Sequence, residues 1–111
     1  MKNNLLKVAL AQISPVWLNK EKTIQKIKSS IEGAAKENCE LIVFGEALLP
    51  GYPFWIGLTN GAEWNSQTQK EIHAHYVRNS ITIEKGELDS ICKLAKEHNI
   101  AIYLGIMERA K

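Results

Sequence analysis

One carboxylate stands out as a group that could do chemistry: Glu46, in the run Phe44-Gly45-Glu46-Ala47-Leu48-Leu49-Pro50-Gly51-Tyr52-Pro53. It follows a short apolar run, Leu41 to Phe44, of the kind that forms a buried strand. In parallel α/β sheets, the side chains that do chemistry collect in loops beyond the carboxyl ends of the strands. Gly45 frees the backbone to turn sharply there. Gly51, between Pro50 and Tyr52-Pro53, marks a second turn. With Phe44, Tyr52, Phe54 and Trp55 nearby, the carboxylate is expected to be partly desolvated, which suits it to general-base work. Two structural roles fit its position equally well, capping the following loop or pairing with a lysine. The aromatic residues also have a plain role, which is packing onto the core.

Other reactive side chains carry less. Cys39 and Cys92 are too few for a disulfide framework and lack metal-ligand spacing, so they fit a reducing compartment. Cys39 precedes the Leu41-to-Phe44 strand at its amino end, opposite the end bearing Glu46. Cys92 falls on the apolar stripe of a helix. Both read as small buried hydrophobes and neither as a nucleophile. His73 and His75, with Glu71 nearby, raise the question of a metal. Positions i and i+2 of a helix point about 200° apart and cannot share one ion. A polar helical face explains them, and no metal is expected.

The elements that position Glu46 follow from periodicity. Leu5 to Ile13 is mostly apolar, bounded by Asn3-Asn4 and Ser14-Pro15, which predicts a strand buried on both faces. A helix is expected from an N-cap at Asn19 to about Glu37, with Ile24, Ile27, Ile31, Ala34 and Ala35 as its apolar stripe and Asn38 at a left-handed C-terminal cap. Leu41 to Phe44 is the second strand, and residues 45–61 read as a loop rich in Gly, Pro and aromatics. A polar helix is expected over about 62–79, with Trp64, Ile72, Tyr76 and Val77 buried. Another follows over 86–98, with Leu88, Ile91, Cys92, Leu94 and Ala95 on one side. Ile100 to Met107 closes the chain as a third strand. Strands separated by amphipathic helices imply a parallel sheet. The helix-to-strand passage Ala35-Lys36-Glu37-Asn38 into Leu41 is echoed by Ala95-Lys96-Glu97-His98-Asn99 into Tyr103. No linker divides the chain, which reads as one domain over residues 1–111.

The composition is that of an ordinary globular protein: 111 residues, 45% hydrophobic and 23% charged, enough for one core. A net charge of +2 without an Arg/Lys stripe offers no footprint for nucleic acid, and Lys20 to Lys28 reads as a solvated helix face. No segment has signal-peptide character or the length of a membrane span, so a cytoplasmic location is expected and membrane partners are not. The chain stops at Glu108-Arg109-Ala110-Lys111, straight after a buried-type strand that needs a neighbour. This predicts a piece of something larger.

The run from Glu40 through Glu46 to Trp55 resembles the first catalytic motif of the nitrilase, or carbon–nitrogen hydrolase, superfamily. Lys7 to Pro15, with Ala11-Gln12, resembles that family's first strand. Ile102 to Arg109 resembles the strand that closes with Gly and then Glu-Arg. The similarity covers essentially the whole chain, with its most specific part around Glu46. Pro50-Gly51-Tyr52-Pro53-Phe54-Trp55 is closer to true nitrilases than to amidases or carbamoylases. Gly45 departs from the family, which usually has Pro before the glutamate.

The resemblance implies an α/β fold, the N-terminal part of an αββα sandwich. It implies conversion of a nitrile to a carboxylic acid and ammonia through a Glu-Lys-Cys set, without cofactor or metal. Glu46 would be the base that deprotonates the cysteine. Tyr52, Phe54 and Trp55 are candidates for the substrate pocket. By family order the lysine and cysteine fall beyond Lys111, so this chain alone is expected to be inactive and the full-length form to be a homo-oligomer. The alternatives are the amidase or carbamoylase branch with an amide substrate, a non-catalytic α/β binding module, a truncated remnant, or one half of a split enzyme.

Overall fold

The computed structural model describes residues 4–110; Asn3 and Lys111, which bounded the expected elements, lie outside that range. Three short strands form one parallel sheet in the order β1-β2-β3, where β1 is Val8–Ala11, β2 is Leu41–Phe44 and β3 is Ala101–Tyr103. Helix α1 (Lys20–Lys36) connects β1 to β2. Between β2 and β3 lie α2 (Trp55–Leu58), α3 (Gln67–Arg78), a 3-10 turn at Ile83–Lys85 and α4 (Asp89–His98). The α/β class and parallel sheet expected from the strand–helix alternation are present. No helix among the described residues is long and apolar enough to cross a membrane.

Local chemistry explains where the first helix starts and stops. The Asn19 side chain accepts a hydrogen bond from the Lys22 N–H at 3.0 Å, satisfying one of the orphan donors of the first turn. At the other end Asn38 takes a left-handed φ of 58°. Asn99 does the same after α4 at 47°, so the echo between the two helix-to-strand passages is one C-terminal device used twice. The buried residues of α1 are Thr23, Ile27, Ile31 and Ala34, with Ile24 half-buried beside them. Thr23 was not expected on that stripe. Its hydroxyl bonds back to the Val16 and Asn19 carbonyls at 3.0 and 2.9 Å and accepts from the Val16 N–H, so it can be buried without loss.

Helices α1 and α4 pack against each other and cover one face of the sheet. Ile42 and Phe44 of β2 point into the core they share with Ile27, Ile31, Ile91 and Leu94. The register pairs Val8 with Leu41 and Leu41 with Ala101, and Leu10 with Val43 and Val43 with Tyr103. These residues therefore line the opposite face, and there Leu10 is 76% and Tyr103 71% exposed. The expectation that β1 is buried on both faces is thus corrected: among the described residues the helices cover one side only.

Four further expectations change. The third helix begins at Gln67, capped by Ser66, because Asn60 and Asn65 take left-handed conformations that break the pattern before it. Trp64 falls in that irregular stretch and is 94% exposed, whereas Tyr76 is buried as expected. Cys92 is exposed, because the face of α4 turned to α1 is centred on Ile91 and Leu94; Cys39 is half-buried against the core. The third strand ends at Tyr103, and the chain then bends and pairs at single points, Ile106 with Leu49 and Glu108 with Ile81.

Candidate active site

The carboxyl ends of β2 and β3 meet at a turn. Glu46 lies two residues beyond Phe44, in the turn that carries the chain out of β2. Ala47 holds a left-handed φ of 48°, an uncommon state for a residue with a Cβ and one that often marks a functional turn. The Gly51 N–H donates to the Ala47 carbonyl at 2.9 Å, and Leu48, Leu49 and Pro50 are buried, so the turn is anchored from its far side. The Leu49 N–H donates to the Gly105 carbonyl at 3.3 Å, and the Met107 N–H returns a bond to the Leu49 carbonyl at 2.9 Å. The segment after β3 therefore grips the segment after Glu46 through main-chain bonds.

The contact at Gly105 is closer than any side chain permits. A Cβ there would stand 2.5 Å from the Gly45 carbonyl oxygen, 2.6 Å from the Ala47 nitrogen and 3.0 Å from the Glu46 Cα. At Gly45 the opposite holds: a Cβ would meet open space. The glycine this turn requires is thus the one supplied by the segment that follows β3.

Glu46 opens onto a shallow groove lined by Phe44, Gly45 and Ala47 on one side and by Tyr103 to Met107 on the other. It is exposed, so the partial desolvation expected from its aromatic neighbours in sequence is not supplied by the described residues. The ion pairs among those residues are Lys20–Glu87 and Lys93–Glu97, and no side-chain hydrogen bond among them involves the Glu46 carboxylate. Neither structural role that fitted its position, loop cap or lysine partner, is realised there.

The aromatic residues after the turn divide. Tyr52 and Phe54 are 57% and 51% exposed, whereas Trp55 is 8% exposed. Phe54 packs on Trp17 with ring centroids 4.8 Å apart, and Trp55 sits between Trp17 at 5.8 Å and Tyr76 at 4.9 Å. Gly51 passes directly under Trp17, where a Cβ would lie 2.4 Å from the ring, and its φ of 141° is one that only glycine adopts readily. The Tyr76 hydroxyl donates to the Gly51 carbonyl at 2.8 Å. The cluster thus clamps the loop that leaves the Glu46 turn.

Beneath the cluster is an apolar cavity of about 140 Å³, lined by Pro53, Trp55, Ile56, His73, Tyr76, Val77 and Met107. Met107 also lines the Glu46 groove. Tyr52, Phe54 and Trp55 do not themselves line that groove. Gly105 and Met107 line the groove, and Trp17 and Tyr76 hold Gly51 in the loop that leaves it; none of the four was singled out for the site from sequence. The only sequence signals for them were an aromatic residue just after the first strand and a glycine at the end of the third. Cys39 and Cys92 do not line the groove either. Among the described residues no three His, Cys, Asp or Glu side chains gather where they could hold a metal ion.

Comparison with known proteins gives a consistent result. A family profile described as carbon–nitrogen hydrolase matches residues 7–111. An arylacetonitrilase of Aspergillus oryzae is 38% identical over 103 residues, covering 93% of this chain and 29% of that protein. An aliphatic nitrilase of Rhodococcus rhodochrous is 36% identical over 106 residues, covering 96% and 28%. A nitrilase of Meyerozyma guilliermondii is 35% identical over 104 residues, covering 94% and 31%. The chain spans less than a third of the length of these relatives.

Proposed function

We propose, from the premise that this chain belongs to the carbon–nitrogen hydrolase family, that it supplies the general base Glu46 of a hydrolase acting on nitriles. In this reading the nucleophilic cysteine and a lysine lie outside the chain. Glu46 takes the thiol proton, and the thiolate sulfur bonds to the nitrile carbon while the electron pair of the broken π bond moves to nitrogen, which is protonated. The lysine ammonium stabilises the charged species. One water adds and ammonia leaves to give a thioester; a second water releases the carboxylic acid and restores the thiol. A thiolate is the competent nucleophile, and a base held beside the thiol supplies it at neutral pH.

The observation that carries the reading is the Glu46 carboxylate, unpaired among the described residues, at the carboxyl end of β2, on a turn fixed from both sides and facing an open groove. Tyr52, Phe54 and Trp55 are proposed to face the organic part of the substrate, with the cavity under Trp55 as its nearest apolar space. Assembly of the full-length protein into a homo-oligomer and a cytoplasmic location complete the proposal.

The test uses the complete gene product with an arylacetonitrile, an aliphatic nitrile and the matching amides, following ammonia release. Glu46→Gln is expected to lower kcat by about 10²–10⁴-fold, the usual worth of a positioned base. Loss of less than tenfold would remove Glu46 from the mechanism, and turnover of amides alone would move the protein to the amidase branch. The 111-residue chain alone is expected to release no ammonia. Activity of that chain, abolished by Cys39→Ala or Cys92→Ala, would overturn the assignment of the nucleophile.

A further inference from the structure

Resting on the reading of Glu46 as general base, we propose that Gly105 is the positioning residue that sets where this base stands. The last registered pair between β2 and β3 is Val43 with Tyr103, and both chains run on past it toward the groove. Neighbouring strands stand about 4.8 Å apart in the hydrogen-bonding direction. Beyond the sheet the two chains approach until the Gly105 Cα faces the Gly45 carbonyl and the Ala47 amide directly, with 2.5 and 2.6 Å left for any Cβ. The Leu49 N–H bond to the Gly105 carbonyl closes the contact two residues further on. Glu46 lies between the two atoms that would be struck, and its own Cα is 3.0 Å from the same point.

The turn cannot absorb a Cβ at residue 105 by moving a flexible side chain, because the three nearest atoms it would meet are all backbone. Ordinary carbon contacts stand at about 3.5 Å or more, so the turn would retreat by roughly 1 Å. Ala47 is already in a left-handed state at φ 48°, and Leu48, Leu49 and Pro50 are buried behind it, so little slack remains on the far side. A base works only within hydrogen-bond reach of the proton it takes. A misplacement of that size costs about 100-fold in rate. Gly105 touches neither substrate nor thiol in this scheme and acts wholly through Glu46.

The test is a double-mutant cycle in the complete gene product, with an arylacetonitrile as substrate. Gly105→Ala is expected to lower kcat about 100-fold while leaving KM within threefold. In a Glu46→Gln background the same substitution is expected to change the residual rate by less than threefold, because the group it displaces is gone. Gly33→Ala, in α1 where a Cβ meets no neighbour within 4 Å, serves as the folding control and keeps the wild-type rate. An equal loss in both backgrounds would make the effect structural and overturn the assignment. So would a Gly105→Ala protein that fails to fold while Gly33→Ala folds. If Glu46→Gln is slow and Gly105→Ala stays within threefold of wild type, the positioning role fails and the base reading stands. A Glu46→Gln enzyme as fast as wild type overturns both.

Discussion

Replacing Tyr76 by Phe deletes one oxygen from the aromatic cluster and leaves its rings in place. That hydroxyl donates to the Gly51 carbonyl at 2.8 Å, and Tyr76 is 2% exposed. Without it the buried Gly51 oxygen loses its donor and no water takes the place, at a cost of about 1–3 kcal/mol. Packing against Trp55 at 4.9 Å and Trp17 at 6.0 Å survives, so no large cavity adds to the loss. In a domain of this size each kcal/mol moves Tm by roughly 4 °C, which sets an expected fall of about 4–12 °C. Urea unfolding should show the same loss as a lower midpoint with an unchanged slope. The pH dependence supplies a second check. Burial holds the Tyr76 phenol above its ordinary value of 10.0, so the folded state prefers the protonated form. That contribution is complete below pH 10 and is lost as pH rises through the folded-state value. Wild type therefore loses stability there while the Phe variant does not, and the gap between them narrows. A difference under about 0.5 kcal/mol at neutral pH, or a gap that stays constant above pH 10, refutes the role given to this hydroxyl.

Two further outcomes are expected. Burial works against the charge of Glu87, but the Lys20 ammonium at 2.6 Å, the Thr82 N–H at 2.6 Å and the charge of Lys85 outweigh it and hold the carboxyl below the ordinary glutamate value. Stability from a lowered carboxylate is present above its unfolded value of 4.5 and is lost as pH falls through the folded one. Glu87→Gln should therefore cost about 1–2 kcal/mol at pH 7 and next to nothing at pH 2, read by urea titration at both; equal losses at the two pH values would count against the charge. The Thr82 hydroxyl is buried without a partner among the described residues, so Thr82→Val, which keeps the shape, is expected to raise stability by about 1 kcal/mol, and a measured loss would show that the hydroxyl is satisfied.

Local rules decided what could be read from the chain. The strand Leu41–Phe44 was legible to the residue because Gly45 cuts a short apolar run, and α1 was legible because its ends are set locally, by the side chain of Asn19 and the left-handed backbone of Asn38. Thr23 escaped because a polar residue on an apolar stripe looks like an interruption until its partners, Val16 and Asn19, fold back onto it. β3 was overrun for a related reason. The apolar run continues past Tyr103, and the bend that ends the strand follows from pairing with Leu49 and Ile81, both far away in sequence. The place of Glu46 just beyond the carboxyl end of β2 was legible from the apolar run before it. The roles of Trp17, Tyr76 and Gly105 were not, since each is defined by what it touches across the fold: Trp17 and Tyr76 meet at Gly51, and Gly105 meets the Glu46 turn.

Position and desolvation of Glu46, the proposed base, come from different sources in this molecule. Position is built into the described residues: β2 aims the chain, Gly105 sets the height of the turn, and the Gly51–Trp17–Tyr76 clamp holds the exit. Desolvation is not, because Glu46 faces an open groove at the rim of a sheet whose outer side carries exposed Leu10 and Tyr103. An apolar face of that kind is the part of a sheet that burial by another layer stabilises most, at about 25 cal/mol per Å² covered. The proposed base, Glu46, is therefore expected to be desolvated by groups other than the described residues.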